Sequence, residues 1–121
     1  MKGFATELGL REQMAADGTA RIEFDAGEQH LNPAGTGHGG VLATLVDTAM
    51  ASAARSRTDD GEVPATTQLT LALLHAGHPG PLSVTAQITK HGDHLLLREA
   101  DVEQERRTLV HAIGTFVVLE R

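Results

Sequence analysis

The 121-residue sequence has no cysteine, no tryptophan and no tyrosine, and only three phenylalanines. The missing thiols exclude disulfides, thiolate metal sites and cysteine nucleophiles, and they suit a reducing compartment, so a cytoplasmic location is expected. Positive charge is also scarce: ten Lys and Arg face sixteen Asp and Glu, for a formal charge of -6. Such a chain is a poor partner for nucleic acid, because phosphate neutralisation needs a basic surface and single strands need aromatic platforms. Long apolar runs are missing too. The longest, Val41 to Ala54, contains Asp47 and spans fourteen residues, whereas a membrane span needs about 20. The N-terminal stretch carries Glu7, Arg11, Glu12 and Asp17 and lacks the continuous apolar core of an export signal. With 40% hydrophobic residues, the expectation is one globular domain over 1–121, large enough to bury a core.

Ala20, Ile22 and Phe24 alternate with Arg21 and Glu23, which predicts a strand after a turn at Asp17-Gly18 and a partner strand around Leu10 to Met14. Gln29 to Gly37, broken by Asn32-Pro33 and small residues, reads as a loop. One long helix is predicted from Gly40 to Arg55, stopped by the turn chemistry of Ser56 to Gly61. Four β segments follow: Thr66 to Leu74, Leu82 to Lys90, His94 to Val102 and Leu109 to Leu119. Their connections, at Gly77 to Pro81, His91-Gly92-Asp93 and Glu105-Arg106-Arg107, are short, so neighbours should be antiparallel. The fold class is therefore α+β, with one apolar helix packed against one meandering sheet.

The run Gly35-Thr36-Gly37-His38-Gly39-Gly40 has G-x-G-x-x-G spacing, and Asp59 and Asp60 lie downstream. A dinucleotide site would need a strand feeding the glycines and another ending at the acid, yet Pro33 precedes the run and the acids sit in a turn. What the run offers is either a plain entry loop or a helix N-terminus whose unpaired N–H groups face an anion or a developing oxyanion. Asp47 is the only charged residue between His38 and Arg55. It shares one side of the helix with Thr44, Thr48, Ser52 and Arg55. That stripe is either a solvent face or, since its residues are small and include no Lys or Glu, a face against which something packs. A carboxylate partly withdrawn from water there would suit a general base. Of the seven histidines, His75/His78 and His91/His94 form H-x-x-H pairs. Each pair lies at a turn with no third ligand fixed by spacing, so loop histidines are expected rather than a metal site. His38, between glycines at the helix entrance, could reach a bound carbonyl or water, or fix the loop by a hydrogen bond.

The segment H-L-N-P-A-G-T-G-H-G-G-V-L-A-T-L-V-D-T-A, His30 to Ala49, resembles hotdog-fold acyl-CoA thioesterases of the PaaI type. That family shows H-x-N-x-x-G-x-x-H-G-G followed by an apolar helix with an acid eight positions after the first Gly of the pair, here Gly39 and Asp47. Similarity extends through Thr66 to Thr70, the turn Lys90-His91-Gly92 and Ala112 to Phe116. The resemblance implies a hotdog fold, an antiparallel sheet wrapped around one long central helix, with protomers joined edge to edge in a homodimer or homotetramer whose sites draw on both copies. It implies hydrolysis of an acyl-CoA thioester to a carboxylic acid and CoA, with no metal or organic cofactor. The Gly39 N–H would polarise the thioester carbonyl, and Asp47 of the neighbouring protomer would activate water or attack directly. Asn32 and His38 would orient the carbonyl or the water, and Thr66, or else Thr67, would position the water.

Gly40, Lys90 and Arg55 would contact CoA, while Met50, Leu69 or Leu71 would line the acyl pocket. Arg55, Arg57, Lys90, Arg98, Arg106 and Arg107 are the cations available for a basic entrance to an anionic substrate. Two alternatives share the fold: an enoyl-CoA hydratase or dehydratase, whose loop is richer in Phe and Pro around its His, and a non-catalytic acyl-CoA-binding protein, which would tolerate loss of Asp47. Asn32, His38, Gly39 and Asp47 occurring together favour hydrolysis.

Overall fold

Asp17 and Gly18 both have positive φ, 51° and 82°, the two-residue hairpin geometry whose twist matches that of paired strands. This turn joins the first two strands of the computed structural model, which describes residues 3–91 and 95–120. In chain order the elements are a short helix α1 (Phe4–Leu8), strands β1 (Arg11–Ala16) and β2 (Thr19–Ala26), and a 3-10 turn at Glu28–His30. The long helix α2 (Gly39–Arg55) follows, then β3 (Glu62–Leu73), β4 (Gly80–His91), β5 (Leu95–Gln104) and β6 (Arg107–Glu120). All pairings are antiparallel, in the order β1-β2-β4-β5-β6-β3. The α+β class with one long helix on one sheet is as the sequence predicts.

The register explains why the helix fits. Ala20, Ala86, Ala100 and Ala112 face one another across four strands, and all are buried. Beside that row of small residues runs a row of larger ones, Ile22, Val84, Val102 and Val110. Against this surface α2 buries Leu42, Leu45, Val46, Ala49, Met50 and Ala53. Each large apolar side chain removed from water contributes about 1.5–3 kcal/mol, and the alanines let the helix approach closely.

The boundaries differ where a local signal competes with pairing. Strand β3 begins at Glu62, ahead of the expected Thr66, and runs through Pro64, which pairs in register with Val118. A proline lacks only an N–H, and an edge strand tolerates that. Helix α1 has no counterpart among the expected elements. It is five residues held between Gly3 and Gly9, and Gly9 closes it in the left-handed region at φ 96°, as a helix C-terminus favours. Among the described residues no helix is long and apolar enough to cross a membrane.

Candidate active site

The loop leading into α2 is built from histidine and asparagine side chains acting on the backbone. His30 Nδ1 accepts from the Gly27 N–H at 2.8 Å, and His38 Nδ1 accepts from the Gly40 N–H at 2.9 Å. The His38 N–H donates to the His30 carbonyl at 2.9 Å, and the Gly37 N–H donates to the Gly77 carbonyl at 2.7 Å. Asn32 Oδ1 accepts from the N–H groups of Ala34 and Thr36, while its Nδ2 donates to Thr36 Oγ1. Asn32 is thus committed to shaping its own loop, and His38 is the N-cap of α2. Because Nδ1 of His38 accepts, a neutral ring carries its proton on Nε2, so the side chain presents a donor outward.

This scaffold leaves the Gly39 N–H without an acceptor among the described residues. It is one of the four orphan donors at a helix start, at the positive end of the dipole. A Cβ built at Gly39 would meet Leu73 Cδ1 at the ordinary contact distance of 3.8 Å. A cavity of about 280 Å³ lies there, lined in part by Asn32, Gly37, Gly39, Leu73 and Gly77.

Two turns further along α2, Asp47 Oδ1 accepts from Thr66 Oγ1 at 2.7 Å. The neighbouring Thr67 turns to Thr115 instead, donating to its carbonyl at 3.0 Å, because a bulge between Thr66 and Gln68 separates the two side chains. Asp47 is half-buried in a second cavity of about 540 Å³, which Phe4, Thr44, Thr48, Thr66 and Leu69 also line. Thr44, Asp47 and Thr48 of the helix stripe therefore border an open cavity beside α1 and β3 and are half-buried. Ser52 is buried and Arg55 is exposed.

Within one chain the two halves stay apart. Eight residues of helix separate Gly39 from Asp47, about 12 Å along the axis, and the two cavities share no lining residue. The remaining expected contacts are scattered. The Gly40 N–H is already taken by His38. Met50 is in the core, wholly buried, and lines neither cavity. Arg55 stands at the far end of α2, 3.4 Å from Ser52 Oγ. Lys90 belongs to β4, but its side chain lies outside the described residues, as do the side chain of His91 and all of His94. Arg57 donates to the Asp17 carbonyl at 3.0 Å. Arg98 is not at an entrance at all: it shares the inward face of β5 with Ala100 and Val102 and is completely buried. Phe4, which is not among the residues expected at the site, lines the Asp47 cavity with its ring largely exposed. Its only sequence signal is the Gly-bounded segment FATEL.

The family model described as the thioesterase superfamily matches residues 34–111, a span that includes Gly39, Asp47 and Thr66. Among solved structures, conserved protein PA5202 of Pseudomonas aeruginosa superposes with a TM-score of 0.94 at 25% identity, over 98% of this chain and 95% of that one. The PaaI protein of the E. coli phenylacetic acid degradation operon gives 0.89 at 27%, over 95% and 83%. The TT0310 protein of Thermus thermophilus gives 0.91 at 25%, over 98% and 100%. No curated protein matches the sequence at a significant level. The sheet and central helix are thus those of the hotdog fold.

Proposed function

The chain belongs to the thioesterase superfamily, and on that premise we propose that it hydrolyses acyl-CoA thioesters to a carboxylic acid and CoA, in sites shared between two copies. The observation that carries this reading is the Asp47 carboxylate, held on Oδ1 by Thr66 in a cavity and with Oδ2 unpartnered among the described residues. That arrangement suits a base acting on water or a nucleophile acting directly. In the water route, Asp47 takes a proton as the water oxygen bonds to the carbonyl carbon. The carbonyl electrons move onto oxygen, and the Gly39 N–H donates a hydrogen bond to the oxyanion. Collapse breaks the C–S bond, and the CoA sulfur leaves with the proton. An oxyanion donor of this kind is worth about 3 kcal/mol when rigidly held, and the His38 cap supplies that rigidity.

Two copies are needed because about 12 Å of helix separates the donor from the base in one. Strand β3 supports an edge-to-edge homodimer or homotetramer: it is an edge strand of the sheet, twelve residues long and half of them exposed, and such an edge offers unpaired backbone groups to a second copy. Arg55, Lys90 and the backbone at Gly40 are the proposed CoA contacts, and no metal or organic cofactor enters the scheme. The test is thiol release from the purified protein over a panel of acyl-CoA thioesters, beside an enoyl-CoA monitored by absorbance. Thiol release supports hydrolysis. Loss of the conjugated double bond without thiol would favour a hydratase, and CoA binding with neither reaction would favour a binding protein.

A further inference from the structure

Arg98 is completely buried, and Nε, Nη1 and Nη2 all lack hydrogen-bond partners among the described residues. Its guanidinium carbon lies 3.9 Å from the centroid of the Phe116 ring. A ring face attracts the cation but offers no acceptor for five N–H donors. Burial pushes the pKa of Arg98 down to about 10, which leaves it charged at neutral pH. A buried cation without a counter-charge is among the costliest arrangements a core can hold, so such a group calls for an explanation.

Its neighbours connect it to the Asp47 cavity. Across the sheet, Ile88, Arg98, Gly114 and Leu69 stand in one register row on β4, β5, β6 and β3. Leu69 lines the Asp47 cavity. Gly114, between Leu69 and Arg98, has no side chain, and the space a Cβ would need is filled by Met50 Sδ, 2.7 Å from that position. Methionine is the apolar side chain best able to vacate such a space, having three rotatable bonds and a soft thioether. In the next row, Phe116 pairs with Thr66, the residue that holds Asp47.

Resting on the thioesterase reading, we propose that Arg98 is a specificity-determining residue that receives a carboxylate at the far end of the acyl group, reached past Leu69 and over Gly114 when Met50 moves aside. The preferred substrates are then thioesters of dicarboxylic acids, with one carboxyl joined to CoA and the other free. A carboxylate both accepts from the guanidinium fork, two bonds at once, and cancels its charge. A hydroxyl would satisfy hydrogen bonds but leave the charge uncompensated.

The test compares kcat/KM for thiol release between thioesters of matched length: glutaryl-CoA with pentanoyl-CoA, adipyl-CoA with hexanoyl-CoA, and suberyl-CoA with octanoyl-CoA. The wild-type protein should favour at least one carboxylate-bearing member by about tenfold or more, since a site built to bond a substrate group rejects the analogue lacking it. Arg98→Met, which puts an apolar chain in the guanidinium's place, should reduce that ratio to within about twofold, and Arg98→Lys should restore part of it. A purely structural Arg98 would change stability without moving the ratio. No such preference in the wild type, as expected if buried water alone serves Arg98, overturns the proposal. So does a preference that survives Arg98→Met, or a stronger preference for ω-hydroxyacyl chains. Should Arg98→Met fail to fold, the wild-type ratio and Arg98→Lys decide. If no thioester is cleaved, the hydrolase reading fails by itself. Arg98 is then judged by thermal shift: adipate and suberate should raise Tm more than hexanoate and octanoate do, and equal shifts overturn the proposal.

Discussion

The Thr66 hydroxyl donates to Asp47 Oδ1 at 2.7 Å, whereas Thr67, the next residue, bonds to Thr115. One threonine therefore fixes the carboxylate and the other ties β3 to β6. Thr66→Val keeps the shape and removes the donor. It should lower kcat by about 10- to 100-fold with little change in KM, as expected for a group that orients a catalytic base. Thr67→Val should stay within about twofold of wild type. Steady-state kinetics on both variants checks the assignment.

Adjacent glycines at the start of α2 should respond differently to alanine. At Gly39 a Cβ meets only ordinary contact, but at Gly40 it lies 3.0 Å from His38 Nδ1, the atom that caps the helix. Gly39→Ala should hold or raise Tm, because alanine is the better helix former. Gly40→Ala should be about 1 kcal/mol less stable than Gly39→Ala, the usual worth of an N-cap. Urea denaturation of the two variants measures the difference, and equal values would deny His38 its capping role.

His111 and Asp101 face each other across β5 and β6 with Nδ1 and Oδ1 2.8 Å apart. The hydrogen bond to Asp101 raises the His111 pKa above 6.5, opposed by slight desolvation and helped by the charges of Asp101 and Glu99. The folded pKa exceeds the unfolded one. The stabilisation is therefore complete below pH of about 6.5 and lost as pH rises through the raised value. Both side chains are over two-fifths exposed, so the contribution is at most about half a kcal/mol. A histidine NMR titration should show the raised pKa, and Asp101→Asn should bring it down.

Glu105 and Arg106 both occupy the left-handed region, at φ 50° and 65°, in the two-residue turn between β5 and β6. Neither residue suits that geometry, whereas Asn-Gly does. Replacing the pair with Asn-Gly should stabilise the protein by about 1 kcal/mol, raising Tm by about 3–6 °C, as calorimetry would show.

The parts that were legible in the sequence are those fixed by local spacing. The α2 run, the Asp17-Gly18 turn and the eight-residue interval from Gly39 to Asp47 all depend on neighbours along the chain. The start of β3 lies ahead of the expected Thr66 because Pro64 sits in an edge strand, where its missing N–H costs no ladder bond. Arg98, counted among the cations for a basic entrance, is instead buried beside Ala100 and Val102, because a count of charges does not tell which face of a strand a residue takes. Asn32 and His38 could be singled out, yet nothing in their spacing shows that Asn32 bonds its own loop or that His38 Nδ1 takes the Gly40 N–H. Those are consequences of the folded backbone. The choice between Thr66 and Thr67 likewise turned on a bulge that no periodicity reveals.

Whether Asp47 carries the hydrolysis is read from kcat for CoA release by wild type and by Asp47→Ala, each shown to be folded by circular dichroism. The wild type should turn over and the variant should fall by at least about 10³-fold, within the range for loss of an acid–base group. An Asp47→Ala protein that is folded and turns over at the wild-type rate would contradict a catalytic role for Asp47.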